Sequence, residues 1–234
     1  ASQGTLVTLH VQGESGIGKS RLLSHFAEHV SLACGALVLS SRCRETETLA
    51  YKAVDGIIDA LAQSLRKLPL EECRALLPRR AGLLPLVFPV FSRVRAIQEA
   101  SASTRGAQDK LALRSLVFTA LREVLSRASD KRPLLVVIDD FQWADAESLA
   151  LIGELLRPPD PPAMLFVIAT TTTAGYQMVR GRFSTVFMEG WEAGDRMKLA
   201  QGGLSIFFTG FRFLSVAIIL IDAMLRCRRP RTSA

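Results

Sequence analysis

The sequence predicts an α/β fold built on a parallel sheet, and three observations predict it. Residues 5–11 form a short β-rich apolar run, followed at once by a glycine-rich turn and a segment with apolar residues at helical spacing. Residues 133–138 form a continuous apolar run that ends in two acids, as expected of a parallel strand buried on both faces. Strand-like and helix-like segments alternate along the chain.

Composition sets the bounds. The 234 residues suit one α/β domain with an appendage, or one and a half domains. At 49% hydrophobic and 22% charged, the chain can bury a sizeable core and is not disordered. It opens on Ala1 with strand-like sequence close behind, so it is expected to be a piece of a longer protein with no signal peptide before the first strand. The net charge is +7, of which residues 201–234 contribute +4. The remainder is too weakly basic to argue for a nucleic-acid surface. Cysteines 34, 43, 73 and 227 show no C-x-x-C spacing, and His10, His25 and His29 add no metal pattern. The thiols fit a reducing, cytoplasmic setting.

The first run leads into Gly13-Glu14-Ser15-Gly16-Ile17-Gly18-Lys19-Ser20, which fits G-x-x-x-x-G-K-[S/T], the phosphate loop of P-loop nucleoside triphosphatases. Glycines let successive backbone N–H groups point inward at phosphate oxygens. The helix that begins at Lys19 or Ser20 turns its positive end to the same point. Lys19 would reach the β- and γ-phosphates, and the Ser20 hydroxyl would ligate Mg²⁺. The candidate nucleotide-binding residues are Gly13, Glu14, Ser15, Gly16, Ile17, Gly18, Lys19, Ser20 and Arg21. The alternative is a glycine-rich turn that matches by chance; the strand before it and the helix after it count against that.

The loop helix is expected to run to about Ala33, with Gly35 as its stop. A second strand covers 35–41, and a polar loop covers 42–48. Val54, Ile57, Ile58, Leu61 and Leu65 give the apolar face of a helix over 51–66. Short helices are expected within 70–97, and a loop over 101–107. Asp109 is placed to cap a long helix reaching about Ser129.

The acid-tipped run at 133–140 comes next. Ligands in open α/β sheets sit at the carboxyl ends of strands, where Asp139 and Asp140 lie. Asp139 is in position to hold the hydration shell of Mg²⁺. Two acids that merely cap a strand end are the other reading. Asp145 reads as the N-cap of a helix with Leu149, Ile152, Leu155 and Leu156 on one face. A fourth strand covers 163–169 and a fifth 184–188. Between them, a hydroxyl of Thr170 or Thr171 would sense the γ-phosphate, or the threonines at 170–173 are only a β-rich strand exit.

These residues resemble the ATPase domain of the STAND class, within the wider AAA-like P-loop proteins. The likeness is closest to the module behind the kinase domain of some bacterial serine/threonine protein kinases. Similar modules occur in large bacterial transcription regulators and some adenylate-cyclase-linked proteins. It rests on residues 13–20, on Cys43-Arg44-Glu45 with Tyr51-Lys52-Ala53-Val54-Asp55-Gly56, on Phe88-Pro89, and on Val137-Ile138-Asp139-Asp140-Phe141-Gln142-Trp143-Ala144-Asp145. It covers about residues 4–200. The loop is specific only to P-loop proteins; the run from Asp139 to Asp145 is much more specific to this group.

The resemblance implies a three-layer α/β/α P-loop NTPase with five parallel strands in the order 5-1-4-3-2 and a helical lid. It implies a switch driven by ATP binding and slow hydrolysis, with Mg²⁺, that gates an effector domain such as a kinase or transcription regulator, or an assembly through self-association. Asp140 stands where related ATPases keep the acid that polarises the attacking water, so Asp140 and Lys19 are the candidate catalytic residues. Two departures stand out. The arginine that often follows the fourth strand is replaced within Ala169-Thr170-Thr171-Thr172, and the sequence after about Gln201 does not resemble the lid.

Residues 1–200 are thus expected to be the ATPase domain, and 201–234 an apolar helix with a basic tail. The apolar stretch at 204–225 approaches the roughly 20 residues that cross a bilayer. Arg212 near its middle and Asp222 near its end make insertion marginal. A packed helix, a weak membrane anchor and a tail foreign to the family compete; the packed helix is the expected structural outcome and a foreign tail the expected reason for the composition shift. Hydrolysis, nucleotide gating without hydrolysis, and DNA-dependent hydrolysis are the competing functions. The last needs a basic winged helix, for which 201–234 is too short and too apolar. A kinase is excluded for this segment, since no His-Arg-Asp or Asp-Phe-Gly is present.

Overall fold

The computed structural model describes residues 5–46, 49–101, 110–171, 184–188, 196–201 and 204–209. Strand β1 (Val7–Gly13) runs into the glycine loop and helix α1 (Lys19–Cys34). Gly35 ends α1 at φ 61°, a left-handed stop that residues with a Cβ rarely adopt. Strand β2 (Leu37–Arg42) follows, and then helix α2 (Asp55–Lys67). This helix starts four residues later than its apolar spacing suggests. Tyr51, the expected first residue, has φ 67°, outside the helical region.

Helices α3 (Leu70–Leu76) and α4 (Arg95–Ser101) flank two 3₁₀ turns at Ala81–Leu86 and Pro89–Arg93. Pro69, Pro85 and Pro89 keep these pieces short, because proline lacks the N–H that a longer helix needs. Helix α5 (Lys110–Lys131) leads to β3 (Leu134–Asp139), a 3₁₀ turn at Phe141–Trp143, α6 (Ala146–Leu155) and β4 (Leu165–Thr170). Strands β5 (Ser184–Met188), β6 (Arg196–Gln201) and β7 (Leu204–Thr209) complete the sheet.

The strands lie in the order β2-β3-β4-β1-β5-β6-β7. The expected order 1-4-3-2 holds across β1 to β4, all in parallel register. The sheet is not five-stranded. Strand β5 pairs parallel with β1, and β6 and β7 extend the edge antiparallel.

The expected C-terminal apolar helix is corrected at its start, where 204–209 form β7. Leu204-Ser205-Ile206-Phe207-Phe208-Thr209 is rich in β-branched and aromatic residues. Gly202-Gly203 before it is a hairpin-turn sequence, and β6 offers an open edge. Ser101, expected to open the loop at 101–107, is instead the last residue of α4. The rest of that loop, the remainder of the apolar segment and basic tail, the cap at Asp109, Thr172 and Thr173 lie outside the described residues. No helix among the described residues is long and apolar enough to cross a membrane.

Alternation along the strands sorts the core into two layers. Leu9, Val11, Leu135, Val137, Leu165, Val167 and Ala169 face α1, where Leu22, Leu23, Phe26 and Val30 meet them. Leu134, Val136, Ile138, Phe166 and Ile168 face the opposite layer, which contains α2, α5 and α6. Burying each such side chain is worth roughly 1.5–3 kcal/mol, which is what holds the carboxyl edge of the sheet in place. Gly56 lets α2 approach β2: a Cβ there would stand 2.7 Å from the Ser40 carbonyl oxygen.

Candidate active site

The loop is shaped by its glycines. Gly16 has φ 82° and Gly18 φ 101°, and both positions are open to added atoms, so backbone conformation rather than crowding calls for glycine. Gly18 is also the N-cap of α1, and its carbonyl accepts the Leu22 N–H at 2.9 Å. The first N–H groups of α1 therefore have no partner within the helix and open onto the loop. Lys19 is buried and arches back over the loop. Its Nζ donates to the carbonyl oxygens of Gly13 at 2.8 Å and Glu14 at 2.7 Å. Burial lowers the Lys19 ammonium from its ordinary value, and the nearby charges of Asp140 and Asp139 oppose that shift. Ser20 is half-buried; Glu14, Ser15 and Arg21 are exposed.

The same alternation places the first acid. Asp139 continues the row of Leu135 and Val137, the face packed on α1, so its carboxylate belongs to the side on which Lys19 and Ser20 begin that helix. Asp139 is buried, and its Oδ1 accepts the Asp140 N–H at 3.0 Å. Asp140 leaves the strand in the left-handed region, at φ 52° and ψ 38°, which Asp tolerates better than most residues. That turn aims its carboxylate at the end of β2. Arg42 Nε donates to Asp140 Oδ2 at 2.9 Å and lies 3.8 Å from Asp139 Oδ2.

Thr170 takes a different direction. It lies in the strand row opposite Ala169, away from α1, and is fully buried. Its Oγ1 is 2.8 Å from His10 Nε2. Burial pushes His10 down to about 4, so the ring is neutral at neutral pH. Thr171 does join the acids, through its backbone: its N–H donates to Gln142 Oε1 at 3.2 Å. Gln142 Nε2 donates in turn to Asp140 Oδ1 at 3.3 Å.

Two site residues have no role in the sequence reading. Arg42 counts there only as the start of a polar loop, although a basic residue at the carboxyl end of a strand is a signal worth weighing. Gln142 appears only inside a motif string, and nothing local marks it.

The donor set fits a magnesium nucleotide. Among the described residues no group of three or more His, Cys, Asp or Glu could hold a metal ion. One hydroxyl and one or two carboxylates suit Mg²⁺, which keeps several waters and shares substrate phosphates. Cys43 is buried near the acids and burial pushes its thiol up to about 12, so it is not a nucleophile at neutral pH.

Comparison with known proteins agrees. The model of the AAA ATPase domain family matches residues 1–168. An uncharacterized protein of Rhizobium meliloti (strain 1021) is 29% identical over 163 residues, which are 67% of this chain and 15% of that protein. The chain therefore spans well under two thirds of that relative's length. The family match takes in both the phosphate loop and the acid pair, and the chain belongs to the AAA ATPase domain family.

Proposed function

We propose that the chain is an Mg²⁺-dependent, slowly hydrolysing ATPase switch of the STAND type, working as one module of a larger regulatory protein. The observation that carries this is the meeting of two motifs at one sheet edge: the charges of Asp140 and Asp139 act on the Lys19 ammonium. In this reading the amides of Gly16 and Gly18, with Lys19, bind the phosphates. Ser20 and Asp139 hold Mg²⁺, which supplies charge neutralisation on the phosphate oxygens. Asp140 orients the attacking water.

Three features support slow turnover. Asp140 is one methylene shorter than a glutamate. Its Oδ2 is engaged by Arg42. No arginine follows β4 in Thr170-Thr171-Thr172. The engagement by Arg42 also favours a second reading, a nucleotide-gated scaffold that binds without hydrolysing. A kinase or transcription-regulator effector is the proposed partner, with self-association as a second mode of output. The short coverage of the relative supports a place within a longer chain. A reducing, ATP-containing cytoplasm is the proposed setting, and residues 1–200 the proposed catalytic unit.

The deciding experiment measures Mg-dependent ATP binding and phosphate release by the full chain, beside Lys19→Ala and Asp140→Asn. The expected result is binding that Lys19→Ala abolishes and slow release that Asp140→Asn abolishes. Binding without release selects the scaffold. A folded chain that binds no nucleotide sinks both readings.

A further inference from the structure

We infer that Gln142 is a positioning residue for the hydrolytic acid: its carboxamide ties the Asp140 carboxylate to the end of β4. This rests on the hydrolysing reading above and adds a residue to it. The local backbone explains how Gln142 comes into place. Asp140 adopts the left-handed region, and the next three residues form a 3₁₀ turn closed by the Trp143 N–H on the Asp140 carbonyl at 3.1 Å. So tight a turn brings the side chain two residues on back over the acid that opens it.

The chemistry of the amide then matches both neighbours. A carboxylate accepts only, and a backbone N–H donates only. Gln142 presents its NH₂ to Asp140 Oδ1 and its oxygen to the Thr171 N–H, so one orientation serves both bonds. With Arg42 on Oδ2, the carboxylate is held at each oxygen by a different element. The two tethers differ in kind. The Arg42 side chain is 63% exposed, so water and salt compete for its pair. Gln142 is half-buried and neutral, so salt weakens its hold less. It also forms a hydrogen-bond path from the acid to Thr171, just past β4. A shift of β4 would therefore reach the acid through this amide.

Two variants of the full chain test this. Gln142→Met keeps the length and loses both bonds. Gln142→Glu keeps the acceptor for Thr171 and loses the donor to Asp140. Phosphate release at saturating ATP is expected to fall roughly tenfold or more in each, the scale that misplacing a reacting group produces. The KM and the affinity for a fluorescent ATP analogue should stay within about twofold, because neither bond goes to a phosphate-binding group. Amide exchange at Thr171, followed by NMR, should quicken in Gln142→Met and stay slow in Gln142→Glu; a residue that only clips the turn would change exchange without changing turnover. Wild-type turnover in either folded variant overturns the role of Gln142 alone. If Gln142→Met does not fold, Gln142→Glu decides. A wild-type chain that binds ATP but releases no phosphate overturns the hydrolysing reading, and the role of Gln142 with it.

Discussion

Asp140 gathers its neighbours from three strand ends. Arg42 comes from β2, Asp139 from β3, and Gln142 connects it to Thr171 beyond β4. None of these bonds is strong alone; an ion pair this exposed is worth about 0–1 kcal/mol. Their effect is on direction rather than stability. His10 acts in the opposite way, as a stability residue. Its value falls from 6.5 to about 4 because burial disfavours the charged ring. The unfolded chain therefore binds the proton more readily between those values. Stability from this group is complete above 6.5 and is lost as pH falls toward 4. The shift corresponds to about 3 kcal/mol. Thermal unfolding from pH 7 to 4 should show a smaller acid loss in His10→Gln than in the wild type. Equal losses would show that other groups carry the acid sensitivity.

At the scale of elements, helix ends and close approaches do most to position the site. Asp145 caps α6, accepting the Ser148 N–H at 2.9 Å, and also takes the Tyr51 N–H at 3.1 Å. Burial pushes that carboxyl up, and the bonds from Ser148 and Tyr51 outweigh it, so it stays below its ordinary value. The cap was legible as Asp before an apolar helical run; its second partner was not. Gly56 shows the same division. Its backbone sits so near Ser40 that Gly56→Ala must push α2 off β2. A loss of about 1–3 kcal/mol is expected, read as a lower midpoint in urea. An unchanged midpoint would mean that the helix can shift without loss of packing. The start of α2 and the strand at 204–209 differ from the sequence expectation for related reasons. Apolar spacing reports a face and not a boundary, and an apolar stretch without charges reads alike as helix or strand until an edge is available to pair.

For the whole molecule, the sheet order brings the loop after β1 beside β4, with β3 next and β2 beyond it. A ligand on this edge touches strands far apart in sequence, so binding should stabilise the fold as a unit. At a hundred times the dissociation constant, mass action adds about 2.7 kcal/mol. The melting temperature with Mg²⁺ and ATP should rise by several degrees in the wild type and not in Lys19→Ala. An equal rise in both would place the nucleotide elsewhere.

The sequence by itself determined the loop, the acid pair, the four-strand order by resemblance, and most helix faces. These are local properties: a glycine spacing, an apolar run, a repeat near 3.6 residues. Tertiary structure alone decided which groups meet. Arg42 and Asp140 are 98 residues apart, Gln142 and Thr171 are 29 apart, and His10 and Thr170 are 160 apart. The pleat decided that Thr170 turns to His10 while Asp139 turns to α1, because adjacent strand residues face opposite layers. That layer assignment exists only once α1 has packed, which no window of sequence contains.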